Sequence, residues 1–181
     1  MHRPLISPAW TIENTVTSEV FPANITRLLP GKRAAINKRD FNFDWKTELK
    51  ISEIAEQQVP ERQVYKLTTT PNPAIIHGLL SLSPAQGCVE MHLIESAKFN
   101  RGANKQYLRV AGNLITHACR LSYEWGNDGY VFFLAKTDLI DHYQRAYGAK
   151  RLGQSHQMSI DSISARTLLD RYYNGYLVNL I

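Results

Sequence analysis

The sequence offers few residues that could cross-link the chain or hold it in a membrane. It contains only two cysteines among 181 residues, Cys88 and Cys119, and each lies inside an apolar segment. We therefore expect free, buried thiols and a reducing compartment rather than a disulfide. No apolar run approaches the roughly 20 residues that cross a bilayer, and residues 1–10 lack the apolar core of a secretory signal. These absences predict a soluble, cytoplasmic protein.

Several signatures of large enzyme classes are also missing. No Gly-x-Ser-x-Gly elbow and no Walker loop occurs, so no motif supports a serine hydrolase or a P-loop nucleotidase. His92, His117, His142 and His156 show no metal-ligand spacing, and we predict no metal site. The sequence has neither repeats nor low-complexity tracts. Its length and composition predict a single globular domain over residues 1–181.

Acidic residues are the scarcer charges. The chain has 16 Asp and Glu against 21 Lys and Arg, which gives a net charge of +5 and favours anionic partners. The basic excess is strongest in residues 27–50, where Phe41, Phe43 and Trp45 interleave with the charges. These aromatic side chains could stack on bases or anchor the segment to the core. The segment therefore predicts either a nucleic-acid patch or a solvated basic face.

Hydrophobic periodicity divides the chain into strands and helices. Strands are predicted at 15–21, 63–70, 74–83, 88–96, 130–136 and 156–161, and helices at 45–54, at 110–125, between a cap at Thr137 and a stop at Gly148, and at 163–173. Short turns join the three strands from 63 to 96, which predicts an antiparallel meander. A helix separates strands 88–96 and 130–136, so we expect these two to be parallel neighbours. The expected fold class is α/β (α+β) with a mixed, mostly antiparallel sheet.

The stretch from Cys88 to Gly148 carries the most informative pattern. An apolar strand leads into a basic, glycine-containing loop, and this loop delivers Ala111 and Gly112 to the first turn of the helix at 110–125. Unpaired N–H groups and the helix dipole favour an anion at such a position. The pattern predicts a phosphate-sized site at the start of this helix.

Individual residues of this stretch resemble the GNAT-type N-acetyltransferases. That superfamily carries a Gln/Arg-x-x-Gly-x-Gly/Ala signature where the equivalent helix begins. Gln106 and Ala111 match the signature, whereas Arg109 stands at the first glycine. The glycine normally lets the backbone approach the pyrophosphate of coenzyme A closely. An arginine there either reaches the phosphates with its side chain or marks a degenerate pocket.

A second match lies in the helix that follows the strand at 130–136. Tyr143 and Gly148 agree with the superfamily's pattern, whereas Lys136 and Leu139 replace its Asn and Ala. The segments MHLIESAKFNRG and AKTDLIDHYQRAYGAKR resemble a small bacterial branch of the same superfamily. The resemblance thus extends over both helices of the stretch.

The resemblance covers residues 63–161. It leaves 1–60 as a divergent N-terminal region and 162–181 as a C-terminal helix and tail. It implies a GNAT-like sheet in which the central parallel strands, 88–96 and 130–136, splay apart between flanking helices. Acetyl-coenzyme A would bind between the splayed strands, and an amine-bearing acceptor would receive the acetyl group.

The resemblance also implies which residues hold the cofactor. The pantetheine would pair with the backbone of the strand at 88–96, and the pyrophosphate would bind the N–H groups of residues 109–113. The implied cofactor-binding residues are Leu93, Ile94, Gln106, Arg109, Val110, Ala111, Gly112, Asn113 and Lys136.

Acyl transfer to an amine needs a base for the ammonium and an acid for the leaving thiolate. Glu90, His92 and Glu95 are the ionisable residues on the strand expected to line the cleft. Alternation places Glu90 and His92 on one face and Glu95 on the other, unless a bulge intervenes. By resemblance, Tyr143 is the acid. Each of these residues also has a purely structural interpretation, as a solvated carboxylate, a hydrogen-bonded histidine or a core aromatic.

The sequence thus favours an acetyl-CoA-dependent N-acyltransferase that transfers the acetyl group directly. A GNAT-fold binding or regulatory module without catalysis is one alternative, and a nucleic-acid-directed protein that uses residues 27–50 is another. The apolar end, residues 171–181, predicts an added strand or a homodimer contact. The acceptor is not specified by any motif.

Overall fold

A computed structural model describes residues 10–55 and 61–173 of the chain. Its strands are β1 Trp10–Asn14, β2 Val20–Arg27, β3 Gln63–Thr69, β4 Gly78–Ala85, β5 Cys88–Ser96, β6 Tyr107–Leu108, β7 Val131–Leu134, β8 Lys150–Arg151 and β9 Gln157–Ile160. Its α-helices are α1 Trp45–Ala55, α2 Val110–Glu124, α3 Ile140–Tyr147 and α4 Ser162–Tyr172.

The strands of the described residues form one sheet in the order β6-β1-β2-β3-β4-β5-β7-β9-β8. β5 and β7 are parallel, with Val89 opposite Val131 and Met91 opposite Phe133, and every other neighbouring pair is antiparallel. The mixed sheet, the β3-β4-β5 meander and the central parallel pair are therefore confirmed.

Helices cover both faces of the sheet, and β4 is buried between them. Leu80 and Leu82 of β4 belong to the same apolar cluster as Leu114 of α2. Leu79 points to the opposite face, where it joins Leu49 of α1. Because the central strands are covered on both faces, they are apolar with little alternation.

The helix α2 follows the predicted stripe. Val110, Leu114, Ala118 and Leu121 are buried against the sheet. The helix stops before Gly126, whose φ of +79° is a left-handed conformation that glycine adopts at no steric cost. The amphipathic period was therefore sufficient to predict this helix and the face that it buries.

The strand expected at 15–21 is wrong. Residues 15–19 form the turn between β1 and β2, and the side chain of Asn14 shapes it: Asn14 Oδ1 accepts hydrogen bonds from the N–H groups of Val16 (2.9 Å) and Thr17 (3.0 Å). Such short polar side chains compete with sheet pairing for backbone donors. β1, which precedes the turn, was not predicted.

Other boundaries differ at the ends of elements. The strand expected at 74–83 begins only at Gly78. Thr137 does not cap a helix, because it opens a single 3₁₀ turn before α3. Gly148 ends α3 as predicted, with a φ of +64°. β6 and β8 have two residues each, too few to show any period.

The aromatic run before α1 mainly anchors this segment. Phe41 and Trp45 are buried in the cluster beneath α1, whereas Phe43 is exposed. Base stacking by Phe41 and Trp45 is therefore wrong, and the anchoring interpretation holds for both. The proposed contact of the apolar end falls outside the described residues from position 174 onward. None of the helices in the described ranges is long and apolar enough to cross a membrane.

Candidate functional site

β5 and β7 separate and leave a cleft between them. Their pairing ends at Met91 and Phe133, after which β5 continues to Ser96. Within the part of the chain that the structure describes, no strand pairs with this edge of β5 beyond Met91, so the backbone groups there face the cleft. The opening belongs to a cleft of about 790 Å³ that is lined by β5, β7, α3 and the N-terminus of α2.

A bulge in β5 decides which ionisable side chains share a face. Ser81 of β4 lies opposite Leu93, and the next residue, Leu82, lies opposite Met91, so His92 is the extra residue. A bulge shifts the alternation by one position. As a result, Glu95 lies on the same face as His92, towards α1.

The Glu95 carboxylate is almost fully engaged by hydrogen bonds. It accepts them from the N–H groups of Asn42 (2.7 Å) and Phe43 (3.1 Å) and from Trp45 Nε1 (2.8 Å). Arg101 Nη1 lies 3.4 Å from the same carboxylate. A carboxylate has about four acceptor sites, so few acceptor sites of Glu95 remain for a substrate. It anchors the segment that precedes α1.

His92 lines the cleft with a less engaged ring. Its Nε2 lies 2.8 Å from Ser83 Oγ, and its Nδ1 lies 3.8 Å from Glu90 Oε1. Burial, assisted by the positive charge of Arg62, lowers the pKa of His92 below its usual value of about 6.5. The imidazole is therefore neutral at pH 7. Glu90 does not line the cleft itself and acts on the site only through His92.

Tyr143 of α3 lines the cleft opposite β5. Its ring packs on Phe133 of β7 with 4.9 Å between ring centroids. Burial raises the pKa of Tyr143 above its usual value. The hydroxyl therefore keeps its proton at neutral pH and can donate it.

Three backbone N–H groups at the start of α2 have no partner within the helix. The first helical bond runs from the N–H of Asn113 to the carbonyl of Arg109 (2.9 Å). The N–H groups of Val110, Ala111 and Gly112 precede it, and all three residues line the cleft. This end of α2 is therefore suited to an anion.

Arg109, which stands at the first glycine of the signature, has a backbone conformation that glycine favours. Its φ is +76°, in the left-handed region that glycine favours. Its Nη2 donates a hydrogen bond to the carbonyl of Arg171 (2.8 Å), and its guanidinium lies 5.0 Å from the ring centroid of Tyr172. Its Nε is buried and has no acceptor among the described residues. The site therefore holds a buried cationic donor without an acceptor.

The structure brings most of the other predicted residues to the cleft. Leu93, Ile94 and Lys136 line it. Gln106 and Asn113 do not, because their polar groups bond to β1 and the turn after it. The carbonyl of Gln106 accepts from the N–H of residue 15, and Asn113 Nδ2 donates to the carbonyl of residue 11 (2.8 Å).

Sequence analysis did not assign several other cleft-lining residues to the site, among them Phe43, Arg101 and Tyr172. The ring of Phe43 lies 5.2 Å from Lys136 Nζ, so it meets a predicted residue across the cleft. The aromatic run and the basic loop gave weak signals for Phe43 and Arg101. Nothing in the local sequence pointed to Tyr172.

Neither cysteine lines the cleft, and the described residues contain no metal-ligand cluster. In the described ranges, no three His, Cys, Asp or Glu side chains come together as metal ligands. Cys88 and Cys119 are both free. Cys119 is fully buried in α2, and burial raises the pKa of its thiol, so it is a packing residue rather than a nucleophile.

Comparison with known proteins gives matches at the level of structure. No protein-family profile matches the sequence, and no curated protein matches it. AtaTR bound with acetyl-CoA superposes with a TM-score of 0.56 at 12% identity, over 81% of this chain and 98% of that one. The PaiA N-acetyltransferase of Thermoplasma acidophilum, in complex with coenzyme A, superposes with a TM-score of 0.53 at 9% identity, over 77% of this chain and 98% of that one. The KacTA–DNA complex superposes with a TM-score of 0.52 at 15% identity, over 82% of this chain and 99% of that one.

These likenesses and the sheet topology agree on one fold. The chain has the fold of the GNAT-type N-acetyltransferases, with a mostly antiparallel sheet, one parallel pair and flanking helices. The resemblance found in the sequence is thereby confirmed at the level of the fold.

Proposed function

We propose that this protein is an acetyl-CoA-dependent N-acyltransferase that moves an acetyl group directly to an amine. The observation that carries the proposal is the cleft between β5 and β7, which extends to the free N–H groups of α2. A fold shared with acetyltransferases adds support for the acyl-CoA class. The acceptor amine is left open by the proposal.

The residues in the cleft fit acetyl-CoA at both ends. On the edge of β5 away from β4, the backbone around Leu93 and Ile94 offers hydrogen-bonding groups to the amides of the pantetheine arm. The start of α2 offers its N–H groups to the phosphates, and the buried Nε of Arg109 gains the acceptor that it lacks. Lys136 also lines the cleft, and its charge can pair with an anionic group of the cofactor.

Two side chains would move protons during transfer. Bound acetyl-CoA supplies a thioester, whose C–S bond breaks as the amine nitrogen forms the new N–C bond. In the tautomer that carries its proton on Nε2, His92 would donate to Ser83 Oγ, and Nδ1 would accept the proton of the amine. Tyr143 donates its hydroxyl proton to the leaving sulfur. Glu90 stabilises the charged imidazolium from 3.8 Å.

Acetyl-CoA binding tests the proposal. We expect one site per chain by isothermal titration calorimetry, and release of free thiol when an amine from a mixed panel is added. A 100-fold excess over Kd should stabilise the fold by about 2.7 kcal/mol in thermal unfolding. Absence of binding at millimolar acetyl-CoA would exclude the proposal.

Replacing Ala111 with glutamate is expected to weaken acetyl-CoA binding at least tenfold. Ala111 lies in the first turn of α2 and lines the cleft. A carboxylate there suits the helix dipole, so the fold should be retained. The same charge repels phosphates a few ångström away, at a cost of about 1–4 kcal/mol. Calorimetry measures the loss.

Ala111→Gln is the matched control for size. It should bind acetyl-CoA more tightly than Ala111→Glu, and the difference should shrink at 1 M salt, where charges are screened within about 3 Å. Equal affinity of the two variants would place the phosphates elsewhere. Gly112→Glu is a less clean test, because any Cβ at that position meets the ring of Tyr172.

A second candidate is a coenzyme A-binding module without catalysis. The engaged carboxylate of Glu95 favours it, because this residue of β5 cannot readily act as the base. Retained affinity for acetyl-CoA without turnover on amines, peptides or basic proteins would support this function over transfer.

A further inference from the structure

The C-terminal helix α4 ends on the N-terminus of α2. A Cβ built on Gly112 would lie 2.3 Å from ring atoms of Tyr172 and 2.6 Å from its hydroxyl oxygen. Glycine within a helix costs about 1 kcal/mol relative to alanine. Glycine at position 112 thus lowers the stability of α2. The Tyr172 ring occupies the space that a side chain at this position would fill.

Two arginines fix the end of α4 in this position. Arg109 Nη2 donates to the carbonyl of Arg171 (2.8 Å), and the Arg109 guanidinium lies over the Tyr172 ring. Arg171 Nη1 donates in turn to the carbonyl of Ala146 in α3 (3.1 Å). The end of α4 is therefore tied to both helices that border the cleft, and Tyr172 is held in a defined place.

The hydroxyl of Tyr172 is available to a ligand. Tyr172 lines the cleft, and within residues 10–55 and 61–173 its hydroxyl has no hydrogen-bond partner. It lies beside Gly112, whose N–H is one of the three free donors at the start of α2. The buried Nε of Arg109, also without an acceptor, belongs to the same group of donors. These donors together are suited to an anion with several oxygens.

We propose that Tyr172 is a further cofactor-binding residue, whose hydroxyl donates a hydrogen bond to the phosphate held at the N-terminus of α2. The proposal rests on the proposed function, because it requires a phosphate-bearing cofactor in the cleft. The C-terminal helix then completes the phosphate site, and Arg109 and Tyr172 add side-chain donors to the backbone ones.

Tyr172→Phe tests the hydroxyl while it keeps the ring that packs on Gly112. Two ligands are titrated by calorimetry: coenzyme A, which carries phosphates, and pantetheine, which carries none. A hydrogen bond to a charged group predicts that the affinity for coenzyme A falls roughly tenfold or more. The affinity for pantetheine should not change.

Tyr130→Phe is the matched control, since it removes a hydroxyl from a partly exposed tyrosine outside the cleft. It should leave both affinities and the unfolding midpoint unchanged. Wild-type affinity of Tyr172→Phe for coenzyme A would overturn the inference and leave the proposed function standing. An equal loss for both ligands would also overturn it, because the effect would not be on the phosphates. A wild-type protein that does not bind coenzyme A would overturn both proposals.

Discussion

The substitution Glu95→Ala is expected to lower the free energy of unfolding by about 3 kcal/mol. The substitution removes the acceptor for the N–H groups of Asn42 and Phe43 and for Trp45 Nε1, and it separates Arg101 from its carboxylate. Each buried donor left without an acceptor costs about 1–3 kcal/mol. Arg101 is partly exposed, so its share is small. Urea unfolding followed by circular dichroism measures the change.

Glu90→Ala is the control on the same strand. The Glu90 side chain is 43% exposed, and its ion-pair partner within the described ranges is His92 at 3.8 Å, so its replacement should change the free energy of unfolding by no more than about 0.5 kcal/mol. Glu95→Gln keeps one acceptor oxygen and should fall between wild type and Glu95→Ala. If Glu95→Ala were as stable as wild type yet inactive, Glu95 would be a catalytic group rather than an anchor.

The central elements of the fold could be predicted because their signals are local. The strand at 88–96 agrees with β5 at both ends, and the stripe from Val110 to Leu121 predicts the buried face of α2. A parallel pair follows from a helix between two apolar strands. The first strands were harder, because the turn after Asn14 uses side-chain hydrogen bonds that leave the alternation of the sequence intact.

The site could be predicted only in part, because its contacts join distant parts of the chain. The bulge at His92 becomes apparent only in the pairing of β5 with β4. The donors to Glu95 lie about 50 residues earlier, in a segment whose relation to β5 has no sequence signature. Tyr172 packs against Gly112, which lies 60 residues earlier in the sequence. Side chains that come together by tertiary packing leave no period or spacing for sequence analysis to detect.

Arg109 shows how a departure from a motif can keep its geometry. The signature glycine allows a positive φ, and Arg109 adopts that φ at a steric cost of about 1–2 kcal/mol. The contacts of its guanidinium with Arg171 and Tyr172 offset this cost. The sequence left open whether this arginine reaches the phosphates or marks a degenerate pocket, and its positive φ and cleft-lining position favour the first alternative.

Replacing His92 with glutamine is expected to lower kcat by about 10²–10⁴-fold, the usual contribution of a general base. Glutamine can still bond to Ser83, so stability and acetyl-CoA affinity should change little. Burial disfavours the imidazolium and holds the pKa of His92 below 6.5. The wild-type rate should therefore persist below pH 6.5 and fall only when the ring takes up a proton at lower pH. The measurement is kcat against pH with saturating acetyl-CoA and an amine from the panel.

Glu90→Gln tests whether His92 acts as a base or has only a packing role. The Glu90 charge raises the pKa of His92 and opposes burial and Arg62. Its removal should move the acidic limb of the kcat profile to lower pH, whereas His92→Gln should abolish that limb. If His92 had a purely structural role, its protonation would not limit the rate. Neither Glu90→Gln nor His92→Gln would then change the acidic limb of the kcat profile. If His92→Gln kept both the wild-type kcat and its acidic limb, the proton would pass to another group, and the engaged carboxylate of Glu95 would be the poorest replacement on β5.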